Sequence, residues 1–135
     1  MADRKVPSRA AILAAGCVMF LFTGTIYAWS ILSAPFPVEF GWTSAQLGLN
    51  FTIVMSCFCI GGLAGSFVTR RLSARTTVMI GAVMCFLGYF LCSRITAHSL
   101  WLLYLSYGGL IGLGVGCSYN AVLGTVMGWF PDKKG

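Results

Sequence analysis

Four long runs of apolar residues, none with a charged side chain in its interior, dominate this chain of 135 residues. A helix that crosses a bilayer needs about 20 such residues at 1.5 Å rise each. A charge at its centre would cost about 2.5–3.5 kcal/mol. The runs therefore predict membrane-spanning helices over residues 10–33, 45–68, 77–94 and 100–126. The fold class that follows is an all-α membrane protein, with residues 10–128 forming a bundle of four spans.

The composition supports lipid rather than water as the solvent. Hydrophobic residues make up 58% of the chain and charged residues 9%, whereas a soluble domain carries about 25% charged residues. The net charge of +6 raises the possibility of a nucleic-acid partner. However, the basic residues form short clusters between the apolar runs and no basic surface with interleaved aromatics. We therefore expect the lipid bilayer as a partner and no nucleic acid.

The chain offers no pattern typical of an enzyme or a metal site. Its three acids, Asp3, Glu39 and Asp132, lie far apart and outside the apolar runs, so no acid–base pair is indicated. The six cysteines lie inside apolar runs without a C-x-x-C pair, and His98 is the single histidine. We expect no catalytic residue, no metal and no cofactor, and we interpret the thiols as small buried hydrophobes.

The basic residues indicate an orientation. Eight of the nine lie before the first span, between the second and third, or after the fourth. They are Arg4, Lys5, Arg9, Arg70, Arg71, Arg75, Lys133 and Lys134. By the positive-inside rule, residues 1–9 are a cytoplasmic N-terminus and residues 129–135 a cytoplasmic loop. The expected location is the plasma (inner) membrane, as an integral multi-pass protein. Trp42, Trp101 and Trp129 flank the spans, as an interfacial aromatic belt requires.

The first span carries hydroxyl side chains at helical spacing. Thr23, Tyr27 and Ser30 are separated by i, i+4 and i+7 and would share one face of an α-helix, whereas Trp29 lies about 200° from Tyr27. The spacing predicts that Tyr27 faces inward and that Trp29 is used for packing. The alternative remains open that these hydroxyls only bond to carbonyl groups of their own helix.

Amides and glycines mark the second and fourth spans. Asn50 is expected to face the bundle, because an amide in lipid requires a partner, and a contact between helices is favoured over one with substrate. In the fourth span small residues recur every four positions, which predicts a close helix–helix contact. They are Gly108, Gly112, Gly116, Asn120 and Gly124. Tyr119 lies beside this stripe, and its side chain is expected to face a cavity.

Three stretches resemble a known family. "GTIYAWSILSAPF", "GLGVGCSYNAV" and "WFPDKKG" together resemble the oxalate/formate antiporter family of the major facilitator superfamily, which is akin to monocarboxylate transporters. The resemblance implies a fold of twelve helices in two halves, of which this chain is an N-terminal fragment with the first four. It also implies that residues 129–135 are a truncated connection to a fifth helix. The start of a helical turn at Pro131 and Asp132 agrees with that interpretation.

The function implied is secondary active transport of small carboxylates by alternating access, with the small organic anion as substrate. The chain is expected to be inactive without the missing C-terminal helices, which carry the cationic residues of the family's site. The positions that match the first-half site are Ile26, Tyr27 and Tyr119, with Asn120 beside them. Tyr27 and Tyr119 also share a G-x-x-Y pattern, a hint of inverted repeats. Ile26 replaces a polar amide of the oxalate antiporter, which argues against oxalate itself.

The loop after the second span resembles the gating loop of the superfamily, with one departure. In "GSFVTRRLSAR", Gly65 and Arg70 match, whereas Thr69 replaces the usual acid and Leu72 the second glycine. Gly65, Thr69 and Arg70 are therefore predicted to form a gating loop without its ion-pairing acid. The arginines are equally well explained as topology charges.

Two other interpretations remain open at this stage. A complete four-span homodimeric transporter, like the small multidrug exporters, would depend on a membrane-embedded glutamate, and the first span contains no acid. A non-transporting membrane assembly protein would use the glycine stripe for helix association alone.

The orientation can be tested with epitope tags. A tag at the amino terminus is expected to be reached only from the cytoplasmic face, and a tag beside Glu39 only from the opposite face. The loop around Arg71 provides the matched control on the amino-terminal side. Detection of the amino-terminal and Glu39 tags from the same face of intact cells would contradict the layout.

Overall fold

The computed structural model describes residues 8–130, and every element in that part of the chain is helical. Four helices are long and apolar enough to cross a membrane. We call them the first span (Arg9–Leu32), second span (Ser44–Arg71), third span (Ala74–Cys92) and fourth span (Leu100–Trp129). The predicted all-α fold class with four membrane helices is confirmed. The predictions for residues 1–7 and 131–135 lie outside the described residues.

Capping residues explain why two spans begin earlier than the apolar runs suggest. The second span starts after a capping box, in which the Thr43 hydroxyl accepts from the Gln46 amide and the Gln46 side chain accepts from the Thr43 amide. The third starts after Ser73, whose hydroxyl accepts from the Thr76 amide. The second span also extends to Arg71, because cations are stabilised at the negative end of a helix.

The first span is not a uniform α-helix. After the α-helix Arg9–Thr23 comes a 3₁₀ segment, Gly24–Ala28, followed by a short α-helix, Trp29–Leu32. A 3₁₀ helix turns about 120° per residue instead of 100°. The face assigned to Thr23, Tyr27 and Ser30 from α-helical spacing therefore does not hold.

The fourth span is irregular as well. It begins as an α-helix over Leu100–Leu103, widens into a π-helical segment over Tyr104–Ile111, and returns to an α-helix over Gly112–Trp129. The π-helix is rare and occurs mostly as short interruptions of α-helices, often at functional sites. We refer to Tyr104–Ile111 as the π segment.

The connection between the first two spans contains a short helix rather than a simple turn. Pro35 precedes the helix Phe36–Phe40, which ends at Gly41 with φ of 71°. Glycine suits this left-handed conformation because it has no Cβ. The rings of Phe36 and Phe40 lie 5.7 and 4.9 Å from the Trp42 ring, so this connection packs against the protein.

Trp42 connects two of the loops at one end of the bundle. Its side chain is 6% exposed, and its indole N–H donates to the carbonyl of Ala97 at 3.0 Å. This bond joins the connection after the first span to the connection after the third. The indole of Trp42 is thus buried against protein, whereas Trp101, 66% exposed, lies on the surface, and an interfacial position for both stays a prediction.

The fourth span lies at the centre of the bundle, and glycines bring it against the second span. A Cβ at Gly112 would lie 2.8 Å from the Val54 carbonyl oxygen, and one at Gly116 would lie 2.9 Å from the Gly62 nitrogen. A Cβ at Gly65 would lie 2.6 Å from the Cys117 Cα. Helix backbones this close leave no room for side chains.

The predicted glycine stripe is confirmed in part. Gly108, Gly112 and Gly116 all face the second span, as expected. Gly124 is an exception, because nothing lies within 4 Å of the place where its Cβ would be. The stripe drifts around the helix over successive turns, since a four-residue repeat exceeds 3.6 residues per turn, and by Gly124 it no longer faces the second span.

The third span contacts the opposite side of the fourth in the same way. A Cβ at Gly114 would lie 2.7 Å from the Gly81 carbonyl oxygen, and one at Gly88 would lie 3.0 Å from that of Ser106. Half of the most apolar part of the fourth span is buried, against 11–22% for the other three. The fourth span therefore serves as the axis against which the others pack.

The two glycines Gly116 and Gly124 provide a matched test of this packing. Gly116→Ala is expected to lower the free energy of unfolding by about 1–3 kcal/mol, because its methyl group would collide with the Phe58 carbonyl oxygen. Gly124→Ala should be neutral or stabilise by up to about 1 kcal/mol through helix propensity. Thermal unfolding of the purified gene product in detergent measures both. Equal losses for the two variants would contradict the packing.

Candidate functional site

Tyr27 lies at a groove between the first and second spans. The groove has a volume of about 460 Å³, and the residues that line it include Tyr27, Ser30, Ser33 and Ser44, each of which carries a hydroxyl group. Tyr27 is 61% exposed and points away from the core of the four spans. The prediction that it faces inward, toward a substrate pathway, stays a prediction. Its place in a substrate site stays a prediction.

Trp29 forms a wall of the same groove and belongs to the core, as its expected packing role requires. Its side chain is 6% exposed, and its indole N–H donates to the Leu47 carbonyl at 3.1 Å. The Trp29 ring also packs against Tyr107 of the fourth span, and the two ring centroids lie 4.6 Å apart. Trp29 thus connects the groove with the fourth span.

Ile26 is fully buried in the core. Neighbouring residues of a 3₁₀ turn point about 120° apart, so Ile26 faces the core when Tyr27 faces the groove. The packing explains an apolar residue at this position without a ligand. A contact between Ile26 and substrate stays a prediction that these surroundings do not favour.

Tyr119 lies on the fourth span, between two aromatic rings from different spans. Its ring centroid is 4.9 Å from that of Phe20 in the first span and 5.6 Å from that of Phe58 in the second. The side chain remains 37% exposed. Tyr119 is therefore held firmly and is still reachable, but its surroundings differ from those of the groove at Tyr27.

Asn120 follows Tyr119 and faces the second span. Its side-chain nitrogen occupies the space where a Cβ of Gly62 would be. The residue is half-buried in the helix–helix contact. Of the four predicted substrate residues, Tyr27 and Tyr119 are thus the exposed ones, and a substrate role for Asn120 stays a prediction.

The loop between the second and third spans is closed by hydroxyl groups. The Thr69 hydroxyl donates to Thr77 Oγ1 at 2.9 Å, and the Thr77 hydroxyl donates to the Ser73 carbonyl at 3.0 Å. Thr77 is 1% exposed. A neutral hydrogen-bonded chain thus occupies the position where the gating loop of the superfamily has its acid.

The other two predicted loop residues have different surroundings. Gly65 packs against Cys117 of the fourth span, so its small size is explained by the helix contact. Arg70 is exposed at the end of the second span. The neighbouring Arg71 guanidinium lies 5.5 Å from the centroid of the Phe67 ring. A gating role for Gly65, Thr69 and Arg70 stays a prediction.

No metal centre is formed in the part of the chain that the structure describes, where no three or more His, Cys, Asp and Glu side chains come together. The Cys117 thiol instead donates to the Gly61 carbonyl at 3.1 Å. This bond adds to the contact between the second and fourth spans.

The sequence matches the Major Facilitator Superfamily over residues 12–135. The chain belongs to this superfamily. Its members are transporters, so the prediction that the protein is not an enzyme is confirmed, and the four apolar helices make it an integral multi-pass membrane protein. Membership favours the transporter interpretation over a small multidrug exporter and over a non-transporting assembly protein.

Several curated relatives support this assignment. The chain is 29% identical to the uncharacterized MFS-type transporter YhjX of Escherichia coli, over 83% of this chain and 27% of the relative. It is 26% identical to the oxalate:formate antiporter of Oxalobacter formigenes, over 87% of this chain and 28% of that relative. It is 27% identical to mouse monocarboxylate transporter 2, over 87% of this chain and 25% of that relative. The chain spans about a quarter of the length of these relatives. No solved structure matches it.

Some residues that position the site were missed in the sequence. Gly61, Gly62 and Gly81 pack against the fourth span although the sequence analysis does not name them, and Gly65 does so although it is assigned there to the gating loop alone. The spacing of Gly61 and Gly65 is a small-xxx-small pattern that predicts a close helix contact. It was a usable signal.

Thr69→Val tests the hydroxyl chain of the loop. The change keeps the side-chain shape and removes the bond to Thr77, so we expect the free energy of unfolding to fall by about 0.5–1.5 kcal/mol. Ser66→Ala is the matched control, because its hydroxyl bonds only to the Gly62 carbonyl of its own helix at 2.9 Å. If both changes lower the free energy of unfolding by the same amount, the bond between the second and third spans makes no separate contribution to stability.

Proposed function

We propose that the chain forms part of a secondary transporter that carries small carboxylate anions by alternating access. The observation that carries the proposal is its membership of the superfamily, together with relatives named as an oxalate:formate antiporter and a monocarboxylate transporter. Because the chain spans about a quarter of these relatives, we propose that activity also requires the helices that they have in addition.

The interiors of the four spans offer only neutral groups to a substrate, which agrees with a requirement for further helices. A carboxylate removed from water requires hydrogen bonds and a countercharge. The exposed hydroxyl groups of Tyr27 and Tyr119 can donate hydrogen bonds, whereas the interiors of the four spans carry no Lys or Arg. In the proposal, the countercharge comes from the remaining helices, and these four spans provide neutral donors.

The groove at Tyr27 has chemistry that suits a small anion. Ser30 and Ser44 are exposed there beside Tyr27, and Trp29 and Phe51 supply apolar walls. Several hydroxyl donors against an apolar wall favour a ligand with a compact charged group and little else. We propose that the groove borders the path of the substrate.

The basic residues and the loop define the proposed orientation. Arg9, Arg70, Arg71 and Arg75 lie at one end of the bundle, and we propose that this end faces the cytoplasm in the inner membrane. The bond from Thr69 to Thr77 would then hold the cytoplasmic loop without an ion pair. A gate of this kind would depend little on ionic strength, since it contains no charge pair.

Replacement of the tyrosine hydroxyl tests the proposed site. In proteoliposomes containing the full-length transporter, which is this chain together with the additional helices, Tyr27→Phe should raise the KM for formate or lactate by about ten- to a hundredfold, the effect of one hydrogen bond to a charged ligand. Tyr119→Phe should act in the same direction. Initial rates of radiolabelled uptake over a range of substrate concentrations measure both.

Tyr104→Phe is the matched control for these variants. The Tyr104 hydroxyl donates to the Gln46 carbonyl at 3.1 Å, so its loss affects a helix contact outside the proposed site. Its KM should remain close to that of the wild type. An unchanged KM for both Tyr27→Phe and Tyr119→Phe would remove these tyrosines from the site, and wild-type protein without carboxylate uptake would overturn the proposed function.

A further inference from the structure

Asn50 is a buried amide for which the described residues provide no partner. Its side chain is 0% exposed, and neither Nδ2 nor Oδ1 has a hydrogen-bond partner within residues 8–130. The prediction that it faces the bundle is confirmed, but the expected bond between helices is not made. An unsatisfied buried polar group destabilises the folded state, so a function that requires the amide is indicated.

The surroundings of Asn50 place it against the π segment. A Cβ at Gly108 would lie 3.2 Å from Asn50 Oδ1, so this glycine leaves room for the amide beside the backbone of the fourth span. Gly108 lies inside the π segment, Tyr104–Ile111. The amide therefore sits next to the part of the fourth span where the α-helical bonding pattern is interrupted.

A second buried group of the same segment is also without a partner. The Tyr107 side chain is 4% exposed, and its hydroxyl has no hydrogen-bond partner in the described part of the chain. Unsatisfied buried groups are few in native proteins. Three such atoms, two on Asn50 and one on Tyr107, belong to the π segment or its immediate neighbour.

We propose that Asn50 is a positioning residue for the conformational change of the fourth span. This inference rests on the proposed transport function. In the other conformation of the transporter, the wide turn of the π segment moves along the helix, and backbone N–H and C=O groups near Gly108 change their partners. The Asn50 carboxamide, which has both donors and an acceptor, binds the groups that are freed.

Movement of a π-helical turn along a helix changes the direction in which the residues that it passes point. The wide turn contains one more residue than an α-helical turn, so its displacement rotates the residues that it passes by about 100°. Conversion of the bonds one at a time keeps most of the helix intact. The step that limits the movement is the transient loss of backbone bonds in lipid, where no water replaces them.

The π segment is also connected to the groove. The Tyr107 ring packs on Trp29, and Trp29 lines the groove beside Tyr27. A ligand in the groove that displaces the Trp29 ring would therefore press on the π segment. In addition, Asn50 is already enclosed by the described spans, so further helices cannot reach it unless these spans rearrange.

Asn50→Leu separates this role from a purely structural one. Leucine has the same number of side-chain heavy atoms and no polar ones, so removal of the unsatisfied amide should raise the Tm of the purified gene product by roughly 3 °C or more. The maximal rate of carboxylate uptake should fall by about tenfold, with the KM unchanged. Amide hydrogen exchange of residues 104–112 should become slower, because the conformational change is rarer.

Thr52→Val is the matched control. Thr52 lies on the exposed face of the same span, and its hydroxyl bonds to the Gly48 carbonyl of its own helix at 3.2 Å. This polar-to-apolar change should leave the Tm, the uptake rate and the hydrogen exchange of residues 104–112 close to those of the wild type.

Two outcomes would overturn the proposal. A lower Tm for both Asn50→Leu and the smaller Asn50→Val would show that the amide already bonds in the resting state. An unchanged rate of uptake and unchanged hydrogen exchange would leave Asn50 without a role in the movement. If the wild type itself carries no carboxylate, the proposed function fails, whereas Tm and hydrogen exchange still decide the role of Asn50.

Discussion

The approach of the fourth span to the backbones of its neighbours is the contact on which the rest of the structure depends. Gly112 and Gly116 face the second span and Gly114 faces the third, each at a distance that excludes any side chain. Lipid provides no hydrophobic force between helices, so close van der Waals packing has to hold the bundle together. This packing fixes the level at which Trp29 meets Tyr107, and thereby the wall of the groove.

The sequence predicted the spans and much of their packing because both depend on composition and simple spacing. It failed where the helices are irregular. The interpretation of Tyr27 assumed 100° per residue, whereas Gly24–Ala28 is a 3₁₀ segment. No residue pattern predicted the π segment, since its geometry follows from contacts with other spans. The bond from Trp42 to the Ala97 carbonyl could not be predicted, because the two residues are distant in sequence.

The site could be predicted less well than the fold, and the reason is physical. A tyrosine in an apolar run can contact a ligand, pack in the core or bond to a backbone, and the sequence does not distinguish these uses. The structure separates them by burial: Tyr107 is 4% exposed, whereas Tyr27 is 61% exposed. Glycine stripes were easier to interpret, because a residue without a side chain has few reasons to recur at helical spacing.

Rigid and irregular parts of the fourth span adjoin each other, and this arrangement limits where motion can occur. From Gly112 onward the span is a regular α-helix pressed against the second and third spans, so it cannot bend without separating close-packed backbones. Before Gly112 lies the π segment, which has wider turns, contains the unpaired Tyr107 hydroxyl and adjoins the unpaired Asn50 amide, so it is the less stable portion. A conformational change within these spans that preserves the contacts of Gly112, Gly114 and Gly116 can therefore take place in the π segment and in the Trp29 wall of the groove, which packs on it.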